Sequence, residues 1–163
     1  MRLRQTMNKP FFYNYDFRSA FLAGVANRLR DQISNEAQGI FKRNKLITPV
    51  TDVSLMLFLN FNGPSSITDI ARALDFSHQR VALRIGALEN LKLLSRKVDK
   101  NDQRRKLITM TTLAKKEMLF IEKMYIQTSK KIDAMFEHLE INLMDKIQEA
   151  IEYLEKEPLT EPH

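Results

Sequence analysis

Six ionisable side chains fall within "DKNDQRRKLITMT", residues 99 to 111: Asp99, Lys100, Asp102, Arg104, Arg105 and Lys106. The chain then turns β-branched and apolar. A second group lies upstream in "SHQRVALRIGALENL", where His78, Gln79, Arg80 and Arg84 open a helical pattern. The chemistry within reach of these groups is recognition rather than bond-making. Guanidinium and ammonium groups bind anions, and amide and guanidinium edges read hydrogen-bond patterns. The chain has no cysteine, which excludes disulfides, thiol nucleophiles and thiolate metal sites. His78, His138 and His163 are scattered, without the spacing of a transition-metal site. No nucleophile–base pair, phosphate-binding glycine loop or HExxH stands in the sequence. The expectation is a protein that is no enzyme, with no catalytic residue, metal or cofactor.

The net charge of +6 is unevenly placed. Residues 77–106 hold nine basic and three acidic side chains, whereas residues 107–163 hold seven basic and eleven acidic ones. A basic middle beside an acidic tail is a field with a direction, and it implies a polyanionic partner for the middle. The plain alternative is a solvated charged surface. No apolar run approaches the roughly 20 residues that cross a bilayer. The N-terminal "MRLRQTMNKPFFYNYDF" has no apolar signal-peptide core. These features point to a soluble, intracellular protein with no membrane partner, for which a reducing cytoplasm is a ready fit.

Side-chain periodicity supplies the elements. Residues 15 to 44 read as one long helix, with Phe17, Phe21, Val25, Leu29 and Ile33 stepping by four. Thr48-Pro49 reads as the opening of a second helix, with Thr48 as N-cap; Gly63-Pro64 ends it. Ser66 and Asp69 form a capping box for a third. Asp75-Phe76-Ser77 is a tight turn, and Ser77 caps a fourth. Two strands, at about 94–98 and 105–111, flank a polar turn. A fifth helix runs from Thr112 to about His138, and a sixth carries Ile141, Met144, Ile147, Ile151 and Leu154. The fold class is therefore mainly α with a small β-hairpin wing. Two helices joined by a short turn and followed by a basic hairpin describe a winged helix-turn-helix, whose second helix enters the DNA major groove.

The fourth helix can be laid out at about 100° per residue. Val81, Ile85 and Leu88 share one side. Gln79, Leu83, Gly86 and Asn90 lie opposite, and Arg80 and Arg84 share a flank. Gln suits adenine, Arg suits guanine, and Leu83 suits a thymine methyl. Arg104, at the hairpin turn, is long enough for a minor groove. Lys97, Lys100, Arg105 and Lys106 are placed to neutralise phosphates. Asp102 either braces Arg104 or caps the turn.

The stretch "SITDIARALDFSHQRVALRIGALENLKLLSR" followed by "DQRRKLITMT" resembles the MarR family of bacterial and archaeal winged helix-turn-helix transcriptional regulators. Asp102, Arg104, Leu107, Met110 and Thr111 carry the wing pattern. Ser77, Val81, Leu88, Glu89, Leu93 and Arg96 carry the recognition-helix pattern. The likeness covers residues 48 to 115 in motif detail and the flanking helices in arrangement only. It implies a single MarR-like chain over 1–163, with a DNA-binding region at 48–112 and helical dimerisation regions at 11–44 and 113–156. It places His78, Gln79 and Arg80 over base edges, on the face where the helix layout also puts Leu83, and Arg104 in the minor groove. Ser66, Ser77 and Arg84 join the four wing cations as phosphate contacts. The family usually has Gly where Lys92 stands, and Lys in a left-handed cap costs about 1 kcal/mol. Ala114 also replaces a frequent Gly, and Arg80 replaces a small residue.

The terminal helices carry wider apolar stripes than a small winged domain can bury. "FFYNYDFRSAF" holds six of the fourteen aromatic residues. The expectation is a homodimer in which Phe11, Phe12, Phe17 and Phe21 pack on the partner's Ile141, Met144, Ile147, Ile151 and Leu154; intrachain packing is the alternative. The resemblance also implies a small aromatic or phenolic effector, with Phe41, Met56, Met124 and Tyr125 as pocket candidates or plain core. The functional expectation is a sequence-specific regulator, a repressor relieved by that effector, on a pseudo-palindromic double-stranded operator. The alternative is a winged-helix protein-interaction or non-specific DNA-architectural module without effector response.

Overall fold

Glycine-poor segments between the breaks at Gly63-Pro64 and Asp75–Ser77 leave helix as the main conformation. The computed structural model describes residues 10–99, 102 and 104–159. Lys100, expected at a phosphate, lies outside the described residues, as do His163 and the Phe12 side chain. The helices are α1 (Leu22–Arg43), α2 (Val53–Asn62), α3 (Ile67–Leu74), α4 (His78–Asn90), α5 (Thr112–Leu139) and α6 (Leu143–Lys156). Between α4 and α5 stand strands β1 (Leu94–Val98) and β2 (Lys106–Met110).

The long first helix expected over 15–44 is instead two 3₁₀ turns, Phe11–Asn14 and Asp16–Phe21, followed by α1. Aromatic contacts account for the difference. Tyr15 and Phe17 stack with centroids 5.0 Å apart, a pairing at i, i+2 that an α-helix would turn to different sides. Thr48 is also not a helix cap. It is buried, and a 3₁₀ turn over Val50–Asp52 separates it from α2. Its hydroxyl donates to the Glu117 carboxylate at 2.6 Å, and its backbone N–H donates at 2.9 Å. The Ile47 N–H donates to the other Glu117 oxygen at 2.7 Å. Glu117 is itself nearly buried on α5, so one carboxylate satisfies three donors and ties α5 to the strand-like approach to α2.

Local signals at the other junctions act as expected. The Ser66 hydroxyl accepts from the Asp69 N–H, and the Asp69 carboxylate accepts from the Ser66 N–H. Asp75 adopts φ 52° and ends α3 in the left-handed conformation. The Ser77 hydroxyl accepts from the Arg80 N–H at 3.2 Å and starts α4. Lys92 does occupy a left-handed cap, at φ 58°. The Thr111 hydroxyl donates to the Lys92 carbonyl at 2.8 Å and accepts from the Ala114 N–H, fixing the start of α5.

The strands pair antiparallel, from Leu94 opposite Met110 to Val98 opposite Lys106. Ser65 adds a one-residue third rung: its N–H donates to Ile108 O, and the Ile108 N–H donates back. The Arg105 guanidinium pairs with Asp69, which straps the turn end of the wing to the start of α3. The buried apolar side chains among the described residues all lie between Phe41 and Met124. The arms outside that interval contribute no buried apolar residue, and α6 has none at all.

Two expected outcomes follow from these links. Glu117→Ala strands three donors in a nearly dry site and should lower unfolding stability by about 2–4 kcal/mol, read by chemical denaturation; a loss under about 0.5 kcal/mol would show the link to be idle. For Asp69, the Ser66 hydroxyl bond first, then the Ser66 N–H and Arg105, hold the carboxyl below its ordinary value of 3.8, against opposing desolvation. A lowered folded-state value gives stability that is present above the unfolded value and lost as pH falls through the folded one. The stability gap between the wild type and Asp69→Asn should therefore be full at neutral pH and close on acidification below 3.8; a gap that is constant down to the lowest pH reached would refute it.

Candidate nucleic-acid interface

The capped start of α4 presents a compact surface. Ser77, His78, Gln79 and Arg80 are exposed, and Leu83 is 71% exposed, whereas Val81, Ile85 and Leu88 are fully buried. The apolar side faces the core because its spacing leaves one stripe to bury. The outward face then combines an imidazole, an amide, a guanidinium and an aliphatic tip, with no acid among them. His78 reaches back to α3, with Nε2 3.5 Å from the Thr68 hydroxyl.

The wing flanks this face. Asp102 holds the turn through the main chain: its carboxylate accepts from the Arg104 N–H at 2.9 Å, and its carbonyl accepts from the Arg105 N–H. It thus orients the backbone of Arg104, and the Arg104 guanidinium, on an exposed residue, makes no hydrogen bond or ion pair among the described residues. Lys97 and Lys106 are exposed and likewise have no ion pair among the described residues. Arg96 on β1 makes a two-pronged contact with Glu89 on α4, at 2.9 and 3.0 Å. That hydrogen bonding, with the Glu89 charge, raises the Arg96 guanidinium above its ordinary value. The pair fixes the angle between α4 and the wing.

Two of the cations expected at phosphates are engaged within the chain. Arg84 turns inward, donating to the Thr51 carbonyl and to Asp52 at 3.1 Å, with only 21% of its side chain exposed. Arg105 is the strap to Asp69 and approaches the Ser66 hydroxyl at 3.5 Å. Ser66 and Ser77 stand at the starts of α3 and α4 as expected. Sequence reasoning missed Asp52, Phe76 and Glu117. Glu117 could have been found as an acid four residues before Ile121 on the inner side of α5.

Phe41, Met56 and Met124 fill the core, at 4%, 0% and 8% exposure, because the α2–α5 packing closes around them; Tyr125 lies toward the surface. A cavity of about 500 Å³ lies instead between the end of α2 and the start of α5, against Leu59, Met110, Lys115 and Leu119. The expected dimer residues Phe11, Phe17, Phe21, Ile141, Met144, Ile147, Ile151 and Leu154 are exposed. Among the described residues no three acids or histidines gather as metal ligands, and no helix is long and apolar enough to cross a membrane.

No protein-family model matches the chain, and no curated protein matches it. Solved structures do. A complex of MepR from S. aureus with DNA is 20% identical, with TM-score 0.64, over 79% of this chain and 97% of that one. A MarR protein from Peptoclostridium difficile is 15% identical, with TM-score 0.61, over 96% and 92%. A MarR/EmrR family transcriptional regulator from Acinetobacter sp. ADP1 is 17% identical, with TM-score 0.62, over 85% and 99%. At such identity the likeness speaks for architecture, and together with the capped helix pair and its hairpin it gives this chain the MarR-type fold, a winged helix-turn-helix carried between helical arms.

Proposed function

We propose that the protein is a sequence-specific DNA-binding transcriptional regulator that acts as a homodimer on a pseudo-palindromic operator. The observation that carries this reading is the exposed first turn of α4 beside a wing whose Arg104 guanidinium is unpaired among the described residues. A helix start aimed outward, with Gln79 and Arg80 at its first turn and Leu83 one turn on, matches the donors, acceptors and methyl groups of a major groove. His78 belongs to the same face. The N-termini of α3 and α4, at Ser66 and Ser77, present backbone N–H groups that suit phosphates. Lys97, Arg104 and Lys106 extend the positive surface along the wing, with Arg104 directed to the minor groove; Lys100, outside the described residues, is a further phosphate candidate by sequence alone. Likeness in fold to the DNA-bound MepR of S. aureus supports the same use.

The exposed apolar arms support the dimer. Their side chains are too many to leave in water singly, and two copies supply two half-sites one helical turn apart. The regulator is read as a repressor released by a small aromatic or phenolic compound, for which the cavity of about 500 Å³ near Leu59 and Met110 has a suitable size. Its working place is the cytoplasm, on the nucleoid.

The test is a duplex from the protein's own promoter carrying an inverted repeat. Wild-type binding is expected to fall steeply with salt and to resist competition by random DNA. Arg104→Ala should weaken it by about tenfold or more and reduce the salt slope by about one. Equal competition by random DNA would favour a non-specific architectural or protein-binding module, and undiminished affinity of Arg104→Ala would remove the wing from the mechanism.

A further inference from the structure

Arg80 and Arg84 stand one turn apart on one flank of α4, and a single ring serves both. Phe76, half-buried in the turn before α4, lies 4.1 Å from the Arg80 guanidinium carbon and 5.1 Å from that of Arg84, measured to the ring centroid. The two arginines differ in every other respect. Arg84 is clamped by Asp52 and the Thr51 carbonyl, and Asp52 is itself 7% exposed in the 3₁₀ turn that leads to α2. Arg80 is exposed and makes no hydrogen bond or ion pair among the described residues, so the ring face is the contact that restrains it.

Stacking and pairing use different parts of a guanidinium. A guanidinium carbon 4.1 Å from a ring centroid is in cation–π contact; a guanidinium laid flat on a ring keeps its in-plane N–H donors free for an acceptor. An unrestrained arginine loses rotamer freedom when it binds, and restraint before binding removes that loss. We infer that Phe76 is a positioning residue for base readout: its ring, held in place beside the clamped Arg84, presents the Arg80 guanidinium edge to one base pair, so the preference at that pair depends on the ring face. Arg84 belongs to this support, and the phosphate role expected for it falls away. The inference rests on the regulator reading above. The bland alternative is that Phe76 merely fills space beside the core, which leucine would do nearly as well.

The test starts from a pool of duplexes with a randomised core, from which the wild type selects a half-site. Arg80→Ala then identifies the base pair that Arg80 reads. Phe76→Leu is expected to lower discrimination at that pair by about three- to tenfold, to leave the other pairs and the salt slope unchanged, and to be rescued by Phe76→Tyr. With Arg80→Ala already present, Phe76→Leu should have no further effect on discrimination. A uniform loss at every pair, or the same loss with and without the Arg80 side chain, would make the ring a filler and overturn the inference. Selection of no sequence at all would instead overturn the regulator reading. A second measurement needs only wild-type protein: the Arg80 Nε–H resonance should show a ring-current shift, and an unshifted resonance would overturn the inference even if Phe76→Leu failed to fold.

Discussion

The Glu117 carboxylate is the fixed point on which the placement of the interface depends. It is a nearly buried charge, and such a group persists only when its lone pairs are satisfied. The three donors that satisfy it come from Ile47 and Thr48, so the chain entering α2 cannot slide along α5. The 3₁₀ turn after Thr48 then sets Asp52, which clamps Arg84 on α4, and Arg84 lies against the ring that also meets Arg80. Each contact is short-ranged, yet together they carry a positional constraint from the long helix to the first turn of α4.

The wing is held by a second set of contacts that work through geometry more than energy. Exposed ion pairs such as Arg105–Asp69 and Arg96–Glu89 stabilise a fold by about 0–1 kcal/mol each. Both partners of each pair sit on different elements, however: Arg105 reaches α3, and Arg96 reaches α4. They restrict the angle at which the hairpin leaves the body. The mutual hydrogen bonds of Ser65 and Ile108 anchor its buried end, while Asp102 shapes its turn through the Arg104 N–H. The side chain of Arg104 is thereby carried on an ordered backbone without being tied down itself.

Much of this was legible in the residues because the signals are local. A capping box at Ser66 and Asp69, a left-handed Asp75 and a Ser77 cap each act within one helical turn, so the helix pair could be drawn in advance. The side of α4 that faces outward followed from the spacing of Val81, Ile85 and Leu88. The misreadings share a different cause, which is contact across long stretches of chain. Thr48 looked like a cap because its acceptor, Glu117, is 69 residues away. The pairing of Arg84 is hidden for the same reason, since Asp52 and Thr51 come from another element. Phe41, Met56 and Met124 have the composition of a ligand pocket and of a core alike, and only packing separates the two. Near the N-terminus the four-residue apolar spacing reads as α-helix, whereas the chain forms 3₁₀ turns, of three residues per turn, with Tyr15 stacked on Phe17.

The division of burial along the chain has a mechanical consequence. α5 is continuous over 28 residues, about 42 Å at 1.5 Å per residue. Its first half supplies Ala114, Glu117, Met118, Ile121 and Met124 to the core, and beyond them the helix has no buried residue. The helix is thus gripped at one end, where Glu117 accepts from Ile47 and Thr48, and unburied at the other. The start of α5 is tied to the body through that contact and through the Thr111 cap, whose hydroxyl also donates to the Lys92 carbonyl just after α4. The end of α4 and the start of α5 thus meet at the Thr111 hydroxyl, and the buried apolar residues between Phe41 and Met124 form one continuous core beneath them.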